Sequence, residues 1–135
     1  MNPSYLNVTK PACAARIDNL PADVCQSVTD VLARVGDKWS LLVIHMLSGG
    51  SMRFSELKRA LSTISQKVLT TTLRGLERDG YITRTVTPSI PPRVDYELTK
   101  LGSDVLVPVT ALATWAFLHR DEVETARVAF DRASA

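Results

Sequence analysis

A mainly helical fold carrying one small β-hairpin is what this sequence predicts, and three observations predict it. Apolar residues recur at three- and four-residue steps through most of the chain from Val24 onward, the spacing of helices that bury one face. Between Gly80 and Thr99 that period gives way to two stretches rich in Thr, Val, Ile and Tyr, which suit extended strands. Pro88-Ser89-Ile90-Pro91-Pro92 separates them and cannot continue a hydrogen-bonded ladder, so it reads as a stiff projecting loop.

Residues 1–22 hold Pro3, Pro11 and Pro21 without a sustained period and read as an irregular arm. A first helix follows, with Val24, Val28, Val31, Leu32 and Val35 on one face, Asp23 as its cap and Gly36 as its stop. Asp37 caps a second helix, whose expected buried stripe is Trp39, Leu42, Val43, Met46 and Leu47 and whose end is Ser48-Gly49-Gly50. A short third helix over 55–61 turns Phe54, Leu57 and Leu61 inward. Ser65 caps the fourth and Gly80 closes it. At about 100° per residue, Val68, Leu69, Thr72, Leu73 and Leu76 share one arc of that helix, opposite Gln66, Lys67, Thr70, Thr71 and Arg74. Strands over 81–87 and 93–98 form the hairpin. Thr99 caps a long C-terminal helical region kinked at Pro108, with a further helix expected over 121–132.

Length and composition narrow the function. A chain of 135 residues accommodates one ordinary domain with an extra arm or helix and no second catalytic domain. Its 45% apolar and 22% charged shares are those of a packed soluble protein. The longest purely apolar run, Leu41 to Ile44, is far below the roughly 20 residues of a bilayer span, and the first twenty residues lack a signal-peptide run. The expected location is the cytoplasm, with no membrane partner. Net charge is only +2, but it is unevenly placed: from Arg53 to Lys100 nine cations face five acids, before them the balance is zero, and after them it is −2.

Helix, helix, short helix, turn, donor-rich helix and stiff-tipped hairpin is the order of a winged helix-turn-helix, here over 23–100, with 101–135 as a C-terminal helical dimerisation segment. The major groove of B-DNA admits one helix, and Gln, Lys, Thr and Arg are side chains that bond to base edges there. Gln66, Lys67, Thr70, Thr71 and Arg74 are of that kind; Ser65 and the amides of the helix start suit a phosphate. Arg93 at the wing suits a minor groove or a phosphate, and Arg53, Ser55 and Arg84, with Lys58 and Arg59, complete the expected contacts. Two other readings stay open: an ordinary solvated helix face, and a winged-helix module that docks onto another protein without touching DNA. Steep salt dependence separates DNA binding from an apolar protein interface.

Several separate blocks also carry a resemblance. Val35-Gly36-Asp37-Lys38-Trp39, Arg53-Phe54-Ser55-Glu56-Leu57, Ile64-Ser65-Gln66-Lys67-Val68-Leu69, Leu73-Arg74-Gly75-Leu76-Glu77 and Pro91-Pro92-Arg93-Val94-Asp95-Tyr96 resemble the HxlR-type regulators of the MarR-like group, over roughly 25–115. The resemblance implies a transcriptional repressor or activator acting on double-stranded DNA as a homodimer paired through its N- and C-terminal helices. Its half-sites would lie roughly 34 Å apart. It also implies a signal, either a small-molecule effector or an oxidant or electrophile read by a cysteine at the start of the first helix.

Cys25 occupies that place, with acidic Asp23 beside it. Two readings of it remain: a redox-sensing thiol, or a small core residue on the face of Val28 and Leu32. Some members of the family pair this cysteine with one in the C-terminal region. No cysteine follows Cys25 here, so its partner would be Cys13 or the second subunit's Cys25. The two cysteines match neither a secreted disulfide framework nor a metal-ligand pair. His45 reads as a packing histidine among Ile44, Met46 and Leu47, and His119 as a helix-end residue. Trp115 and Phe117 suit a dimer interface. No phosphate loop, metal motif or nucleophile elbow is present, so neither an enzyme nor a cofactor or metal is expected.

Overall fold

A computed structural model describes residues 20–134. The chain forms two compact units, one ending at Asp37 and the other starting at Lys38. In the first, α1 (Ala22–Val35) opens on Pro21 rather than on the expected Asp23 cap. Pro21 supplies the carbonyl that accepts the Cys25 N–H at 2.9 Å, and Asp23 lies in the first turn, where a carboxylate favours the positive end of the helix. Gly36 closes α1. None of its residues is buried among the described residues, and Val31 and Leu32 on its apolar face are 52% and 65% exposed.

The second unit contains α2 (Lys38–Leu47), β1 (Met52–Arg53), α3 (Phe54–Ala60), α4 (Gln66–Arg78), β2 (Ile82–Thr87), β3 (Arg93–Leu98) and α5 (Lys100–Ser134). In α2 the buried stripe is Ser40, Val43, Ile44 and Leu47. Trp39, Leu42 and Met46 are only half-buried and His45 is exposed, which corrects both the expected stripe and the packing-histidine reading. Seven of the ten α2 positions are apolar, so spacing alone does not choose the inward face.

The sheet runs β1-β3-β2, all antiparallel. The hairpin bounds agree with expectation within one residue; β1 was not expected, because a two-residue strand has no alternation to detect. It pairs Met52 with Tyr96 and Arg53 with Asp95, tying the start of α3 to the hairpin. Leu57, Leu61 and Ile64 from α3 and its following turn are buried together with Leu69, Leu73 and Leu76 of α4, Val43 and Ile44 of α2, and Tyr81, Ile82 and Tyr96, and these make up the core. Fully burying each such side chain contributes roughly 1.5–3 kcal/mol.

Thr99 caps α5 as expected: its hydroxyl accepts the Gly102 N–H at 3.1 Å and donates to the Gly80 carbonyl at 2.6 Å, while its own N–H donates to Tyr81 O at 3.0 Å. Gly80 makes this corner possible at φ +85°, a conformation that L side chains rarely adopt. The expected separate helix over 121–132 is instead the continuation of α5, and His119 lies inside that helix rather than at its end. No Gly or Pro stands between Pro108 and Ser134 to stop it. Only Gly102 and Val109 of α5 are buried.

Candidate nucleic-acid interface

The α3–α4 pair is locked at its turn before any surface chemistry begins. Ile64 is buried in the turn and its N–H donates to Leu61 O at 3.0 Å. Ser65 then starts α4 as expected, its hydroxyl accepting the Val68 N–H at 3.1 Å. Leu69, Thr72, Leu73 and Leu76 are buried. Val68 is not: it is 39% exposed, because it falls at the edge of the inward arc. Gln66, Lys67, Thr70, Thr71 and Arg74 are all exposed on the opposite side.

The helical repeat splits that outward side into two stripes. Gln66, Thr70 and Arg74 line a groove of about 600 Å³ between α4 and the hairpin, whereas Lys67 and Thr71 do not border it. Thr70 and Thr71 donate their hydroxyl protons back to Gln66 O and Lys67 O, at 2.8 and 2.9 Å. Their lone pairs and methyl groups therefore face outward, suited to accept from an amine or to touch a thymine methyl.

Across the groove stand Arg84 of β2 and Val94 and Tyr96 of β3. Arg84 is directly opposite Tyr96 in the ladder, and strand alternation puts both on the face toward α4. The same alternation puts Arg93 and Asp95 on the other face. There the Arg93 Nε donates to both Asp95 carboxylate oxygens, at 3.2 and 3.0 Å. The wing arginine is thus held along its own strand and is not part of the groove. Arg53, opposite Asp95 in the register, is exposed, and its backbone N–H donates to Glu56 Oε1 at 2.9 Å. Ser55 is exposed in the first turn of α3. The structure therefore gathers four of the expected residues, Gln66, Thr70, Arg74 and Arg84, into one groove. Ser65, Lys67 and Thr71 lie on the exposed outer side of the same helix, and Arg53, Ser55 and Arg93 flank it.

Phe54, Glu77, Val94 and Tyr96 also line the groove and were not singled out. Glu77 was legible in principle, since it continues the Gln66-Thr70-Arg74 stripe; Tyr96 and Val94 needed the strand register.

Residues 34–124 match the HxlR-like helix-turn-helix family. The chain belongs to that family. The uncharacterised HTH-type transcriptional regulator YtfH of Escherichia coli is 41% identical over 109 residues, covering 81% of this chain and 86% of that protein. A solved structure of YtfH from Salmonella typhimurium superposes with a TM-score of 0.69 at 39% identity, over 74% of this chain and 89% of that one. The redox regulator HypR in its reduced form gives a TM-score of 0.69 at 34% identity, over 73% of this chain and 98% of that one. This HxlR-family chain is a transcriptional regulator of the winged helix-turn-helix class.

Cys25 is the free cysteine among the described residues, where it is exposed. Its Sγ lies 3.7 Å from Leu20 O, and its own carbonyl accepts from Thr29 Oγ1 at 2.8 Å. Cys13 lies outside the described residues.

Proposed function

We propose that this HxlR-family regulator acts as a cytoplasmic homodimer that reads double-stranded DNA with α4 in the major groove, over half-sites roughly 34 Å apart. One observation carries the reading: α4 buries one arc completely and presents Gln66, Lys67, Thr70, Thr71 and Arg74 to solvent beside a hairpin that adds Arg84. In this reading Ser65, Arg53 and Ser55 would hold flanking phosphates, and Arg93 would do so through the guanidinium nitrogens that its Nε bonds to Asp95 leave over. Binding of the protein to the DNA upstream of its own gene, at two salt concentrations, tests this. Affinity should fall steeply with salt, Arg74→Ala should cost about 1–3 kcal/mol, and Lys67→Ala should weaken binding and flatten the salt slope by about one. Binding indifferent to salt and to both substitutions would instead indicate a protein partner.

The signal in this reading is an oxidant at Cys25, supported by the exposure of that thiol near the start of α1 and by the likeness to a redox regulator. Two thiols, Cys25 and either Cys13 or the second subunit's Cys25, would lose two protons and two electrons to the oxidant and join as a disulfide. Diamide is expected to release DNA from the wild type and to leave Cys25→Ser bound; equal release from both removes Cys25 from the mechanism.

A further inference from the structure

The groove beside α4 contains one group that works against a polyanion. Glu77 lines it together with Arg74 and Arg84. It follows Gln66 by eleven residues, which on a helix is three turns plus about 20°, so it stands squarely on the groove-facing stripe. Glu77 is exposed, so burial does not explain it, and among the described residues it forms no ion pair with either guanidinium. A residue placed only to neutralise those arginines would be paired with them. A residue serving general attraction to DNA would not be an acid.

We infer that Glu77 is a specificity-determining residue of the regulator, penalising DNA in any register except one that offers its carboxylate a hydrogen-bond donor. The inference rests on the DNA-reading role of α4. A phosphate passing within a Debye length of about 8 Å is repelled by the carboxylate, and every duplex brings phosphates. A carboxylate accepts hydrogen bonds and never donates, so among base edges of the major groove it is matched by an exocyclic amine such as cytosine N4. On a cognate site that bond offsets the repulsion. On random sequence nothing does, and random sequence is the larger competitor, by about 10⁶–10⁹ sites in a genome. Gln66 and Thr70, on the same stripe, are neutral and do not discriminate in this way.

Glu77→Gln keeps the shape and removes the charge. The full-length protein and this variant are compared on two duplexes: one recovered by in vitro selection with the wild type, and a scrambled duplex of the same composition. Glu97→Gln, an exposed acid whose side chain alternates to the opposite face of β3, controls for net charge. For Glu77→Gln the scrambled duplex should bind about threefold to tenfold more tightly, while the selected duplex binds no more tightly or weakens, so the specificity ratio falls about fivefold or more. For Glu97→Gln the ratio should hold. An unchanged ratio for Glu77→Gln, whether neither duplex responds or both tighten alike, overturns the inference and leaves the reading helix standing. Failure of the wild type to select any sequence, or a selected duplex indifferent to Arg74→Ala, overturns both.

Discussion

Gly102→Ala is expected to destabilise the protein by at least about 3 kcal/mol, a drop in Tm of roughly 10 °C or more in a domain of this size. Ordinary helix propensity points the other way, since Ala is favoured over Gly inside a helix by about 1 kcal/mol. The space decides. A Cβ at Gly102 would collide with Tyr81 O and lie 3.0 Å from Leu98 Cδ2. The oxygen is backbone and is already fixed by the Thr99 N–H at 3.0 Å, so it cannot swing aside as a side chain would. Relief requires the first turn of α5 to back away from the Gly80–Tyr81 corner, breaking the Thr99 bonds to Gly80 O and Gly102 N–H. The control is Gly49→Ala, where the nearest atom to the new Cβ is 3.9 Å away and stability should change by no more than about 0.5 kcal/mol. Thermal and urea denaturation monitored by circular dichroism measures both. A Gly102→Ala protein as stable as the wild type would mean that α5 does not approach Tyr81 this closely.

That close approach also shows which parts of the architecture were readable beforehand. The polar and apolar arcs of α4 were plain because the two kinds of residue alternate cleanly and Ser65 marks the start, and only Val68, at the boundary of the arcs, was misplaced. In α2 the same method failed, since Trp39, Leu42 and Met46 are as apolar as Ile44 and only packing against α4 and β3 chooses among them. Cys25 is open for a similar reason: its spacing from Val28 and Leu32 is that of a core face, yet no α1 residue is buried among the described residues. The exposed polar stripe of α4 is legible in the sequence, but the groove is not, because Tyr96, Val94 and Arg84 meet α4 only through a strand register and a β1 strand too short to leave a pattern. Glu77 lies on the same stripe by spacing, but only the groove shows that it stands beside Arg74 and Arg84. The unbroken length of α5 was missed through reliance on its change from apolar to charged composition, which alters the exposed face of a helix without ending it.

The second large effect concerns that helix. By length and composition α5 could cross a bilayer, and only 11% of its apolar window is buried in the single chain. Its first turn, however, is built into the core of the unit that presents α4, through Gly102 and the Thr99 cap. Beyond it, Leu112, Trp115 and Leu118 recur at three-residue steps along one exposed arc, with Leu118 67% exposed. Trp115 stacks on His119 at 4.6 Å, holding a flat aromatic surface within that arc. Burial of such residues contributes roughly 1.5–3 kcal/mol each, and a two-fold partner offers the same stripe in return. Leu112→Asp combined with Leu118→Asp should therefore convert the proposed dimer into a folded monomer of 14.8 kDa, as read by sedimentation velocity. Neither leucine is buried in the single chain, so helicity by circular dichroism should be kept apart from any change confined to the far end of α5. DNA binding should then lose the advantage of a second linked reading helix, which is worth about 10²–10⁴ in affinity. A double variant that remains dimeric would move the subunit interface away from this stripe, and α1, whose Val31 and Leu32 are likewise exposed among the described residues, would be the next face to test.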